Sequence, residues 1–367
     1  MVEWLAGNRI RGTSTERTTG TGFNSVIGGW KEVGRHKLTS AGDTIDITSL
    51  DNKRYYMVLQ NILGSASGEI TPEITFNGDN SALYPIVRNN DATSSDNAFI
   101  SNYNYLYNGM GGTNSDRFIV GYIANKSDRE KLYQHHQCMN ENISDANTAP
   151  RMNYTAGKWR NSSDAINRIT VTNNTSASGD FIADSEVVVL GWDPDDTHTT
   201  NFWEELASFE VTGSAVADFD SGAFTAKKYL WVQAYIKSDG GNISPRLRLG
   251  SSGTIDSGSD VYATSSASNG GGKSDATART DMVTTISSLT TPCFINAFII
   301  NNTSKHKTVI HQAVHRGTAG IGQVTQRRQG VSKWENTSNQ CNIVGFHDND
   351  SYTNMAAGSI IKVWGSD

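Results

Sequence analysis

The segment Ala267-Ser268-Asn269-Gly270-Gly271-Gly272-Lys273-Ser274 nearly reproduces the phosphate-binding loop G-x-x-x-x-G-K-[ST], where backbone amides cradle phosphates and a lysine neutralises them. That chemistry needs a buried strand before the loop and a helix after it. Here Ala263-Thr264-Ser265-Ser266 precedes and Asp275-Ala276-Thr277-Ala278 follows, so neither element is evident and a Ser/Gly loop is the expected reading.

Metal and nucleophile chemistry find no better support. His135-His136 in the first half and His306, His311 and His315 in the second are the clustered histidines. On a strand, His311 and His315 share a face but lie about 13 Å apart, too far for one ion, so exposed or hydrogen-bonded strand histidines are expected. Asp193-Pro194-Asp195-Asp196, Asp218-Phe219-Asp220 and Asp348-Asn349-Asp350 offer oxygen ligands but match no EF-hand loop. Cys138, Cys293 and Cys341 form no CxxC pair, and H-E-x-x-H and G-x-S-x-G are absent. No catalytic residue, metal or cofactor is expected.

Tyr103, Tyr105 and Tyr107 alternate with Asn102 and Asn104, which would line three phenol rings along one face of a strand. Such a row could pack an interface, stack on the sugars of a host-surface glycan, or belong to the core.

The elements that must position these residues are written twice. Lys158-Trp159-Arg160-Asn161-Ser162-Ser163 returns as Lys333-Trp334-Glu335-Asn336-Thr337-Ser338, 175 positions later. Trp30 with Trp203, Tyr55 with Tyr229, Asn125 with Asn301 and Ser185 with Ser359 keep nearly the same offset, which marks duplication of a whole domain. The expected organisation is an extended N-terminal arm over residues 1–26, a first domain over 27–194 and its repeat over 201–367. Arg9, Arg11 and Arg17 stand in the Gly/Thr-rich arm as candidate anchoring residues.

Only 36% of residues are hydrophobic and 19% charged, with Ser, Thr, Asn and Gly filling the gap, a profile suited to short strands and turn-rich connections. Eight to ten strands per copy, including Thr44 to Thr48, Arg54 to Ile62, Arg117 to Ala124 and Glu186 to Leu190, with no sustained 3.6 periodicity, predict an all-β chain. Its fold class is two tandem jelly-roll-like sandwiches. A net charge of −6 without a basic run argues against nucleic acid as a partner. No 18-residue apolar run occurs, so no membrane span is expected, and the N-terminus lacks the pattern of a signal peptide.

Comparing the copies assigns strand faces. Ile119, Gly121 and Ile123 become Ile295, Ala297 and Ile299, keeping large-small-large on the buried face. Across the strand, Phe118, Val120 and Tyr122 become Phe294, Asn296 and Phe298, so the middle position is expected to be less buried. Val188 becomes Lys362, which predicts a wet face for the last strand. Cys341 aligns with Ile166 and reads as a small buried apolar residue.

Gly29-Trp30-Lys31-Glu32-Val33-Gly34-Arg35, Thr39-Ser40-Ala41-Gly42-Asp43-Thr44-Ile45-Asp46, Ala124-Asn125-Lys126-Ser127-Asp128-Arg129-Glu130-Lys131 and Lys158-Trp159 resemble a repeated β-domain of virion structural proteins from marine tailed viruses. The resemblance covers about nine tenths of the chain, and Ala207-Ser208-Phe209 departs from it where Gly34-Arg35-His36 would align. It implies a bacteriophage particle component: a capsid decoration, head fibre or tail-associated protein, located in the virion. The expected partners are other virion proteins and further copies of the chain, with a trimer as one fitting assembly. The alternative expectation is a carbohydrate-binding adhesin or receptor-binding module.

Overall fold

A computed structural model describes residues 29–90, 98–140, 147–174, 176–193, 200–267, 274–284, 289–315, 325–349 and 354–367. Among them every regular element is a β-strand. Period-2 burial explains why: in Thr44–Ile47, Ile45 and Ile47 are buried between exposed or half-buried neighbours, a pattern a helix cannot use. The strands fall into two units, the first mainly up to Trp203 and the second mainly Glu204–Asp367.

In the first unit an eight-stranded antiparallel sheet runs in the order Lys31–Lys37, Glu186–Trp192, Tyr55–Ile62, Asp116–Ala124, Lys131–Asn140, Arg151–Trp159, Tyr84–Asn90 and Ala98–Tyr103. A four-stranded sheet of Thr44–Ile47, Ile169–Asn173, Pro72–Phe76 and Leu106–Tyr107 faces it. The core lies between them: Tyr56, Val58, Ile123, Trp159, Val187 and Val189 from the larger sheet meet Ile45, Ile47, Ile74, Phe76, Ile169 and Val171 from the smaller. The unit's first strand, Lys31–Lys37, pairs with its last, Glu186–Trp192, at one edge of the sheet.

The second unit repeats this order. Its larger sheet is Glu204–Glu210, Ile360–Ser366, Tyr229–Ile236, Cys293–Ile300, Lys307–His315, Gln326–Trp334, Val261–Ala267 and Ser274–Arg279. Its smaller sheet is Asp218–Asp220, Ile343–Asp348, Pro245–Ser251 and Thr254–Ile255. The two orders correspond strand for strand except at the short outer strand of the smaller sheet, Leu106–Tyr107 in one and Thr254–Ile255 in the other. Even the bulge is kept, between Glu32 and Gly34 in the first edge strand and between Glu205 and Ala207 in the second. Both units are jelly-roll-like β-sandwiches.

The face assignments need one correction. Ile119, Ile295, Ala297 and Ile299 are buried, and Asn296 is half-buried where Val120 is 2% exposed, as the copy comparison predicts. The last strand, however, has no wet face in its interior: Val188 is fully buried and the Lys362 side chain is only 12% exposed. Polar groups enter this face because they are paired. Asn296 Oδ1 accepts from Trp231 Nε1 at 2.6 Å and from Gln233 Nε2 at 3.1 Å, and Lys362 Nζ lies 3.7 Å from Glu205. A sequence pattern registers polarity, not pairing.

Candidate functional sites

The residues that both copies keep make the same contacts twice. Asn125, just past the strand Asp116–Ala124, donates from Nδ2 to Lys53 O at 2.9 Å and accepts at Oδ1 from Ile166 N at 2.8 Å. Asn301 does likewise with Lys227 O (2.9 Å) and Cys341 N (2.7 Å), so Cys341 replaces Ile166 in packing and in this staple. Lys131 Nζ donates to the carbonyls of Arg129 and Asn161, and Lys307 Nζ to those of Lys305 and Asn336. Each ammonium also lies near a tryptophan ring, Trp159 at 5.5 Å and Trp334 at 6.0 Å. The indoles donate in turn, Trp159 to Asp79 at 2.7 Å and Trp334 to Asp256 and Asp260 at 3.0 and 3.1 Å. Ser185 and Ser359 accept from Leu63 N and Lys237 N, each at 3.0 Å. The asparagines, lysines and serines fix backbone, and the indoles are tied to carboxylates.

The copies diverge at one corner of the sandwich. The three tyrosines do not share a strand face: Tyr103 ends a strand of the larger sheet, the chain bends at Asn104 and Tyr105, and Tyr107 lies in the smaller sheet opposite Glu73. The bend replaces a row by a cluster. Tyr103 and Tyr105 stack at 4.7 Å, Tyr103 and Tyr107 pack against the core, and Arg88 sits 4.1 Å over the Tyr107 ring. Tyr105 donates to the Glu73 carboxylate, which also accepts from Asn174. Burial pushes the Tyr105 phenol up, with the Glu73 and Tyr103 charges adding to it, and burial also raises the Glu73 carboxyl. A phenol held above its ordinary range is a poor nucleophile, so the pair suits hydrogen bonding rather than covalent chemistry.

The pairings place different residues at this corner of the second domain. Pro72 opposite Asn173 corresponds to Pro245 opposite Asp348, so Arg246 stands where Glu73 does. Leu106 opposite Ile74 corresponds to Met282 bridged to Leu247, so Arg279 and Asp281 replace Tyr103 and Tyr105. Arg279 binds Asp281 at 3.1 Å.

A third feature was not visible as a motif. Trp30, Tyr55, Tyr122, Leu132, Gln134 and Trp192 line a groove of about 530 Å³ on the first domain. Tyr55 and Trp192 stack at 5.3 Å, Trp30 lies 6.4 Å from Trp192, and Leu132 is 57% exposed. Trp30 and Tyr55 belong to repeated pairs, but Trp192 does not, and only the fold brings the three rings together.

The histidines divide. His135 is buried and bonded to Asn153 Oδ1 at 2.9 Å, whereas His315, expected to be exposed or hydrogen-bonded, is 2% exposed with no hydrogen-bond partner at either ring nitrogen. Among the described residues no group of three His, Cys, Asp or Glu side chains could hold a metal, and Asp218 pairs instead with His347 at 2.7 Å. The Ser/Gly loop, residues 268–273, lies outside the described residues, but the elements on either side are both strands, Val261–Ala267 and Ser274–Arg279. Arg9, Arg11 and Arg17 also lie outside the described residues.

No family model and no curated protein matches the chain. Weak structural neighbours include the mouse laminin alpha1 chain, domains LG4-5, at 8% identity and a TM-score of 0.16, covering 92% of this chain and 91% of that one. They also include the infectious bursal disease virus VP2 subviral particle, at 10% identity and a TM-score of 0.15, covering 91% and 80%. Scores this low carry no argument about what the chain does.

Proposed function

We propose that the chain is a non-enzymatic structural component of a virus particle, a capsid decoration, fibre or tail-associated protein held by the arm over residues 1–26 and assembled with copies of itself. One observation carries the reading. The positions retained through duplication repeat their contacts in both sandwiches: Asn125/Asn301, Lys131/Lys307 and Ser185/Ser359 fix backbone, and the Trp159/Trp334 indoles are held by aspartates. Selection that preserved a scaffold twice, with no shared reactive constellation among the described residues, fits a building block better than a catalyst. The test is labelling of purified particles with antibodies against the chain in electron microscopy, alongside its mass in solution. Labelled particles and a closed oligomer support the reading, and a dispersed monomer with unlabelled particles overturns it.

A second reading, contact with a neutral glycan, is favoured by the groove walled by Trp30, Tyr55 and Trp192, since aromatic faces stack on sugar rings. A glycan array with wild type, Trp192→Ala and Tyr105→Ala separates the groove from the tyrosine corner. Binding lost only in Trp192→Ala assigns the groove, and no binding by wild type removes this reading.

A further inference from the structure

The corner where the copies diverge gathers cations in the second domain. On the inner face of its larger sheet, Arg328 lies across from the small side chains of Ala313 on one neighbouring strand and Ala267 on the other. Arg328 donates to Ser265 Oγ from Nε at 3.2 Å and from Nη2 at 2.7 Å. On the same strand face as Ala313, His315 is buried with both ring nitrogens lacking a hydrogen-bond partner. Arg246 and Arg279 add their charges to the field at Arg328, and Arg279 itself holds the buried Asp281 carboxylate at 3.1 Å. Burial first, and then the charges of Arg246 and Arg279, push the Arg328 guanidinium down to about 10, while burial and Arg328 hold His315 near 4.

The scaffold does not require this arrangement. The first domain builds the same corner with Glu73, Tyr103, Asn153 and Met139 at the positions of Arg246, Arg279, Arg328 and His315. Asp281 already supplies one carboxylate, to Arg279, while like-charged guanidiniums raise one another's energy and a further anion among them lowers it. Their forked donors suit oxygen atoms on a tetrahedral centre, and a neutral imidazole adds one N–H donor.

We propose that Arg246, Arg279, Arg328 and His315 form a binding site for a tetrahedral oxyanion, phosphate or sulfate, either free or as the sulfate ester of a saccharide. This role is additional to the structural one and does not depend on it. The test follows the His315 imidazole in long-range ¹H–¹⁵N spectra of the full chain, assigned by His315→Gln. Titrants are sodium sulfate, sodium phosphate, galactose 6-sulfate and galactose, against sodium chloride of matched ionic strength. A saturable shift with sulfate or phosphate at millimolar concentration, weakened at least tenfold in Arg279→Gln, is the expected result. A response to galactose 6-sulfate without one to the free ions supports the site and assigns the ester. His315 signals that move with none of the oxyanions, or that move equally in Arg279→Gln, overturn the proposal. Because the decisive signal is read in the wild-type chain, a variant that fails to fold does not rescue it.

Discussion

Lys307 donates from Nζ to the backbone carbonyl of Asn336 at 2.6 Å, and Lys131 makes the same bond to Asn161 at 3.0 Å in the other domain. A fully buried ammonium is an expensive way to tie a loop to a strand, and its retention in both copies points to the carbonyls it satisfies. Lys307→Met keeps the volume but removes the donors to Lys305 O and Asn336 O. It should destabilise the second domain by about 1–3 kcal/mol, the cost of stranded acceptors. Burial pushes the Lys307 ammonium down to about 8 from its ordinary 10.5. Between those values the unfolded chain binds more protons than the folded one, so wild type gains stability as pH rises from about 8 to 10.5. Urea denaturation at pH 8 and pH 10 should show this gain in wild type and not in Lys307→Met.

Gly121 is the small member of the large-small-large face, and the structure supplies the reason. A Cβ at this position would come within 2.9 Å of the Tyr133 ring, which is fixed by its hydroxyl bond to Asn108 Oδ1 at 2.6 Å. The second domain carries Ala297 there and replaces Tyr133 by Val309. Gly121→Ala should therefore cost about 1–3 kcal/mol through overpacking. Gly213→Ala, where nothing lies within 4 Å of the added atom, should change stability by less than about 0.5 kcal/mol. Equal chemical-denaturation midpoints for the two variants would contradict the packing account.

These contrasts mark what the sequence could disclose. The duplication makes burial legible, because a position that stays large or stays small in two independent copies is answering to a core, as Ile119, Gly121 and Ile123 do. It also separates scaffold, in Lys131, Asn125 and Trp159, from positions free to change. Pairing across distant segments is not legible. Asn296 reads only as less buried because its bond from Trp231 is a property of two strands, and Lys362 reads as wet because Glu205 is far off in sequence. The bend at Asn104 and Tyr105 is hidden for a related reason: alternation describes a strand, whereas here the chain passes from one sheet to the other between Tyr103 and Leu106. Trp192 joins the aromatic groove only through the sheet order, so no spacing rule reaches it.

His135 reports on acid stability of the first domain. Its Nε2 donates to Asn153 Oδ1 at 2.9 Å, and burial pushes the imidazole down to about 4 from 6.5. Between pH 6.5 and 4 the unfolded chain takes up a proton that the folded domain refuses, so stability falls as the pH is lowered through this window. His135→Gln keeps a donor for Asn153 and has nothing to titrate. It should flatten the contribution of this site between pH 6.5 and 4 while costing about 1 kcal/mol near neutrality through imperfect packing. Thermal unfolding at half-unit pH steps would show it, and parallel slopes for wild type and variant would exclude His135 as the source.

Asp260 carries the opposite sign. Its carboxylate and that of Asp256 converge on the single N–H of Trp334, at 3.1 and 3.0 Å. Burial raises the Asp260 carboxyl to about 6 from 3.8, with the Asp256 charge adding to the shift. Here the folded state binds more protons than the unfolded chain between pH 3.8 and 6, so this site loses stability as pH rises through that range. Solvent screening at this half-buried carboxylate limits the size of the effect. Asp260→Asn leaves the Asp256 carboxylate to receive the indole proton and removes the like charge. The variant should be more stable than wild type at pH 7 and indistinguishable from it near pH 4. A variant less stable at pH 7 would mean that Trp334 depends on the Asp260 charge itself, and that the second carboxylate, absent where Trp159 meets Asp79 alone, is a gain rather than a load.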